Sequence, residues 1–341
     1  MSIKYSSNTA IKSIIKSPAL SFNLNAQGDG SGVLEIRIKT NVAGTLYVTG
    51  GAKLYDNVAC TIGESTSKSI ATGGDLTYGY FLYCKMSSGN GKLNFSNKHL
   101  TQLVFNESSV NCPMPGGDIS HWIKSQVFVG HHRFFGDLTN LLEARYIQGG
   151  GGCWFTGDVS NNTVIENMQS TEATDVRNNW TGNLSNKPNL SYLEVGGYAT
   201  PYGNLIAATN PKLYVVVSYS YYQNWDVTLD GLTYLYYFET KDDFAQSRVR
   251  VTINDLSLCT ALDFINLTHQ NLGTATANSI LAFFWANRNS AKYSSASGYR
   301  GIHLSGIAAP TGQGLVDKAN LQAYRSPDNA GTAPLWNVTT N

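Results

Sequence analysis

Gly136-Asp137-Leu138-Thr139, Gly157-Asp158-Val159-Ser160 and Gly182-Asn183-Leu184-Ser185 write one theme: a glycine, Asp or Asn, an aliphatic residue and a hydroxyl. Gly117-Asp118-Ile119-Ser120 and Gly74-Asp75-Leu76-Thr77 are earlier copies, and Gly203-Asn204-Leu205-Ile206 and Ile253-Asn254-Asp255-Leu256-Ser257 are looser ones. From Gly117 onward the steps are 19, 21, 25 and 21 residues. A recurring period of this size marks a solenoid. The Asp or Asn side chain can bond backbone amides in a tight turn, and the glycine before it can take positive φ. Asp118, Asp137, Asp158 and Asn183 are therefore read as structural turn formers that stack as a ladder in successive coils. A solenoid offers a broad repeated surface and rarely a cleft, so the chain speaks of binding before catalysis.

Between these turns runs a second element, L-x-x-L-x-aliphatic. It is written as His99-Leu100-Thr101-Gln102-Leu103-Val104-Phe105 and as Asn189-Leu190-Ser191-Tyr192-Leu193-Glu194-Val195. Looser versions begin at Pro211, Gly231 and Ala261, and Asn278–Trp285 reads as a further copy. Each sets an apolar residue three before a short strand with alternate apolar side chains.

The chain before residue 92 reads differently. Leu34-Glu35-Ile36-Arg37-Ile38-Lys39 alternates with period two, as a half-buried strand does. Residues 1–20 are a polar extension, a candidate for attachment to a larger particle. Residues 21–91 form a small antiparallel β domain, 92–290 the repeat array, and 291–341 a cap. In that cap Gly314–Leu321 reads as a short helix and Trp336–Asn341 as a last strand.

Composition agrees with a turn-rich β protein. Charged residues are 14% of the chain, with a net charge of +1, 33 glycines and 20 tyrosines. No basic patch points to nucleic acid. No stretch approaches the ~20 apolar residues of a membrane span, and no signal peptide is read at the start. Five cysteines without paired spacing read as buried thiols.

Chemistry is hard to find. His121, His131 and His132 lie near Asp118 and Asp137, but adjacent histidines on a strand point to opposite faces. No metal, cofactor or catalytic residue is assigned. The Gly149–Gly152 run lacks the Lys-Ser/Thr of a phosphate loop.

The tyrosines carry the candidate site. If Leu193 and Val195 face inward, Tyr192 and Glu194 face outward. The same register exposes Tyr214 and Val216, then Tyr234 and Tyr236, as a stripe across neighbouring strands. Tyr219, Tyr221, Tyr222 and Trp225 are placed in the following loop. Tyrosine offers a flat apolar ring with a polar tip, suited to recognising protein or sugar. The expected binding residues are Tyr192, Glu194, Tyr214, Tyr234, Tyr236, Tyr222 and Trp225.

The L-x-x-L units joined by Gly-Asp turns over residues 92–290 resemble a degenerate leucine-rich repeat. They are similar to the irregular Gly/Asp/Ser-rich repeats of Bacteroidetes surface proteins and of tail or virion proteins of their phages. The segments 122–129, 141–147 and 164–168 depart from the pattern. The resemblance implies a mainly β fold: the N-terminal antiparallel domain, a leucine-rich-repeat-like solenoid with a parallel sheet, and a short helix–strand cap. It further implies a non-enzymatic phage virion protein, a tail or appendage component assembled in the host cytoplasm. Its partners would be other virion proteins, copies of itself, and a host-surface glycan or protein. The rivals are a bacterial surface adhesin, a tailspike-like polysaccharide depolymerase, and a capsid decoration or connector with no receptor.

Overall fold

The protein is described from a computed structural model covering residues 20–27, 29–72, 80–96, 100–107, 113–120, 127–130, 134–149, 153–170, 179–219, 224–240, 249–268, 270, 272–289, 300–325 and 336–341. The extension apart from Leu20, the three histidines at 121, 131 and 132, the Gly74 copy and Gly150–Gly152 lie outside these residues.

The fold is mainly β. Antiparallel strands come first, then a parallel β-solenoid, with two short helices near the C-terminus. One thirteen-stranded sheet runs the length of the molecule. It begins with Lys53–Tyr55, Tyr80–Lys85 and Leu34–Thr40, paired antiparallel. Leu34–Thr40 then pairs antiparallel with Leu100–Glu107, and every later partner in this sheet is parallel, out to Asn337–Thr340. No break in the sheet separates the N-terminal strands from the solenoid.

The Gly-Asp segments form the turns expected of them, but strands of their own lead into those turns. Met114–Asp118, Phe134–Asp137 and Trp154–Thr156 pair in parallel on a second sheet, and Thr181–Asn183, Thr200–Leu205, Asn224–Thr228 and Arg250–Thr252 form a third. A bridge between Asp158 and Thr181 joins the two. The likeness to a leucine-rich repeat, which implies one parallel sheet, therefore reaches only as far as a β-solenoid. The period explains the difference, since each coil is long enough to lay down one strand on each side of the interior.

Interior side chains align strand over strand. Ile147, Met168, Leu193, Val216, Phe238, Ile265, Ile302 and Val338 occupy one register column and are all buried. Three residues earlier in each coil, Ala144, Ile165, Leu190, Leu213, Leu235 and Leu262 make a second buried column. Between the sheets the chain turns in three-residue steps: Leu232 N–H donates to Leu229 O and Leu235 N–H to Leu232 O, each at 3.1 Å. This is why leucines recur every third position here rather than every second.

The Gly-Asp-x-Ser theme has a two-part cause. Within a coil, the amide of Ser120 donates to Asp118 Oδ1, Thr139 to Asp137, Ser160 to Asp158 and Ser185 to Asn183, at 2.7–2.9 Å. Between coils, the hydroxyl at the fourth position accepts the Asp or Asn amide of the next coil. Asp137 donates to Ser120 Oγ, Asp158 to Thr139 Oγ1, Asn183 to Ser160 Oγ and Asn204 to Ser185 Oγ, at 2.7–3.0 Å. At Gly157 and Gly203 glycine precedes because the preceding coil's carboxyl or amide oxygen occupies the space of a side chain, and at Gly182 because Val159 Cγ2 does. A Cβ on Gly157, at φ +88°, would lie 1.9 Å from Asp137 Oδ1, and one on Gly203, at φ +105°, 2.3 Å from Asn183 Oδ1.

A buried polar ladder closes the carbonyls left by the turns. Asn162 donates to Leu141 O and Ala144 O, both at 2.8 Å. One coil on, Lys187 Nζ donates to Val159 O, Ser160 O and Asn162 O, each at 2.8 Å, with the residue only 1% exposed. Asn210 then reaches Leu184 O at 3.0 Å and Lys187 O at 3.4 Å. Buried carbonyls must find donors, and here the neighbouring coil supplies them.

Asn278–Trp285, expected as a strand copy, lies inside the helix Thr274–Asn287. Its buried residues Ala277, Ile280, Leu281 and Phe284 follow the i, i+3, i+4, i+7 spacing of a helix face, a pattern that a strand would not bury. The second helix, Gln313–Ala323, packs against the first and sends Gln322 Nε2 to Val338 O and Lys318 Nζ to Thr340 Oγ1. Trp336, at the last strand, meets Phe284 edge-on at 5.0 Å.

Gly157→Ala should destabilise the fold by about 2 kcal/mol or more in urea unfolding, because it combines left-handed backbone with a clash against Asp137. Lys187→Met should cost about 2–4 kcal/mol by stranding three buried carbonyls. Burial holds the Lys187 ammonium down to about 8 from 10.5, so above pH 8 the unfolded chain binds more protons than the folded one. Stability should therefore rise with pH from about 8 toward 10, and Lys187→Met should flatten that rise.

Candidate functional site

The outer face of the long sheet carries its side chains in three rows. Position by position, Tyr192 is in register with Val215, Tyr237 and Phe264. Two residues on, Glu194 is in register with Val217, Glu239 and Asn266. One residue before the strands, Arg145, Glu166, Ser191, Tyr214, Tyr236, Asp263 and Arg300 form the third row. At its ends Arg145 pairs with Glu166, and Arg300 with Asp263. In its centre Tyr214 and Tyr236 stack with ring centroids 5.3 Å apart and planes 11° from parallel.

These rows enclose a groove of about 270 Å³ lined by Tyr192, Glu194, Tyr214, Val215, Val217, Tyr219, Tyr236 and Tyr237. Val215 and Val217 are buried although they point outward, because the surrounding tyrosines cover them. Tyr237 stacks on Phe264 at 4.2 Å and 3°, which fixes its ring against the sheet.

Glu239 sits buried at one end of the groove. Its carboxylate accepts from Tyr237 Oη at 2.6 Å, Tyr219 Oη at 3.2 Å and Asn266 Nδ2 at 3.1 Å. Glu194 lies two strands away, roughly 10 Å along the sheet at the usual strand spacing, and accepts from Tyr192 Oη at 3.4 Å. Burial raises the Glu194 carboxyl above its ordinary value, the Tyr192 hydrogen bond opposes this, and the charge of Glu239 adds to it. Burial and Glu194 push Tyr192 up to about 12, while burial and the Glu239 charge also raise Tyr219.

The structure brings together Tyr192, Glu194, Tyr214 and Tyr236 of the expected binding residues. Tyr234 stands apart, 62% exposed and outside the groove lining. Tyr222 lies outside the described residues. Trp225 is a correction: expected in a surface loop, it belongs to the strand Asn224–Thr228 and is fully buried in the core. It lies opposite Gly203 in the parallel register, where the neighbouring strand carries no side chain. Val216, expected outside, is also buried in the inner column. The apolar residue that marks each coil, Leu213 or Leu235, precedes the strand and does not belong to it, so the outward set moves by one position to Val215 and Val217 and by three to Tyr237 and Glu239. Asp118, Asp137, Asp158 and Asn183 lie in the coil-to-coil ladder.

Tyr237, Glu239 and the groove role of Tyr219 escape the sequence reading. The signal that finds them is the second leucine-type anchor: counting Leu190-x-x-Leu193, Leu213-x-x-Val216 and Leu235-x-x-Phe238 gives the true register. Among the described residues no group of three or more His, Cys, Asp or Glu is placed to hold a metal ion, and no helix is long and apolar enough to cross a membrane. Cys84, Cys153 and Cys259 are buried, and Cys60 is partly exposed. No family model matches the chain, and no curated protein or solved structure does either.

The raised tyrosines make the groove sensitive to alkali. The unfolded chain releases its Tyr192 proton near 10, whereas the folded chain holds it to about 12, so this contribution to stability is whole below pH 10 and lost as pH climbs toward 12. Ultraviolet titration should show delayed phenolate formation, and Tyr192→Phe should remove one late-titrating group.

Proposed function

We propose that this chain is a non-enzymatic attachment protein of a phage virion, a tail or appendage component that grips a host-surface receptor with the outer face of its long sheet. The observation that carries the reading is the groove, in which five tyrosines and a carboxylate are held on strands that the coil-to-coil ladders keep rigid. Tyrosine gives large contact area for little lost rotamer freedom, and a fixed scaffold lowers the ordering cost of binding. Glu239 is engaged by three donors, which suits a positioning role better than acid–base work. The placement in a virion is supported by the resemblance of the repeats to phage tail and virion proteins. Several copies on one particle, held by other virion proteins, would turn a shallow groove's modest affinity into firm adhesion.

The test is adsorption. Tyr214 is 48% exposed and Tyr236 stacks on it at the surface, so replacing both by serine leaves the interior columns intact. The Tyr214→Ser/Tyr236→Ser variant should lose about tenfold or more of its binding to host cells while its circular dichroism and Tm stay close to the parent's. Undiminished adsorption would dismiss the groove as the receptor surface. Gold-labelled antibody should decorate tails or appendages of intact particles, and particles without label would reject the virion assignment.

A further inference from the structure

Resting on that reading, we propose that the moiety this groove takes is a protonated amine carried on a sugar, as in an amino-sugar polysaccharide. Charge balance is the first ground. The groove presents Glu194, and its lining residues include no Lys, Arg or His. Among the described residues, the nearby cations of this face have carboxylates of their own: Arg145 pairs with Glu166, and Arg300 with Asp263. His303, on the row of Glu239 and Asn266, bonds Thr339 Oγ1 at 2.9 Å. Among the described residues the groove lining is thus left acidic at Glu194.

Shape is the second ground. Tyr192, Tyr214, Tyr219, Tyr236 and Tyr237 line the same groove as Glu194, and the negative faces of aromatic rings attract an ammonium group. Val215 and Val217 supply an apolar floor for the C–H face of a saccharide ring. A bare metal ion would leave that floor and those rings unused, and a neutral sugar would leave the acidity unanswered. The volume of about 270 Å³ lies at the small end of ligand pockets, which suits one or two rings of a longer chain. The raised Glu194 carboxyl agrees with a group that awaits a cation.

Three β-1,4-linked hexamers that differ only at carbon 2 make the test: glucosamine (amine), N-acetylglucosamine (acetamide) and glucose (hydroxyl). Isothermal titration in mildly acidic buffer should give the amine hexamer an affinity about tenfold or more above either neutral chain. Glu194→Gln, which keeps shape and removes charge, should erase that preference with Tm unchanged. Equal affinity for all three chains overturns the amine assignment while leaving a glycan-binding face. An amine preference that survives Glu194→Gln also overturns it, since the attraction then lies elsewhere. Should none of the hexamers bind, the amine inference falls. The attachment reading is then judged separately by adsorption of the Tyr214→Ser/Tyr236→Ser variant, which asks nothing about the ligand's charge.

Discussion

One contact recurs through the middle of the molecule and orders the rest: a backbone amide of one coil donating to the hydroxyl that closes the preceding coil's Asp or Asn turn. Asp137 to Ser120, Asp158 to Thr139, Asn183 to Ser160 and Asn204 to Ser185 are four successive instances. Each couples a local turn to its neighbour, so the conformation of one coil sets the height and phase of the next. The inner column of Ile147, Met168, Leu193, Val216 and Phe238 can align only if that phase is kept. The outer rows, and hence the groove, inherit the same phase from the opposite face of the same strands. The groove's geometry is thus set on the far side of the coil.

How much of this was legible depends on the redundancy of each signal. The Gly-Asp-x-Ser theme is written several times, and its physical demand is narrow: a glycine set close against the preceding coil, then an acceptor side chain, then a hydroxyl. A mainly β solenoid was readable from that repetition. The outer register was not, because Val215-Val216-Val217 is buried on both faces and shows no alternation. Tyr234 to Phe238 is likewise apolar or aromatic throughout. Where a strand is covered on both sides, period two carries no information about which side is which. Tyr192 and Glu194 were placed well because Leu193 and Val195 flank them in a clean alternation.

Two further misreadings have the same root. Trp225 looked like a loop aromatic because its strand is short and follows a tyrosine cluster, yet it fills interior space opposite Gly203. The run Asn278–Trp285 looked like another coil because it is apolar, although its spacing is helical. In both, apolar character signals burial, and only the spacing of the residues tells a strand from a helix or loop. The buried ladder of Asn162, Lys187 and Asn210 gave no warning in the sequence, since a polar residue at an interior position is meaningful only once the carbonyls it serves are known.

Stacked coils exchange contacts chiefly with their immediate neighbours, so such arrays tend to fray from whichever terminus is left bare. At one end of this molecule the long sheet continues into antiparallel strands. At the other, the helix pair holds the final strand through Gln322, Lys318 and Trp336. Loss of structure from that side must first dislodge the helices. Resistance of these last coils to heat or proteolysis then depends on how firmly that pair is fastened, as well as on the rungs beneath it.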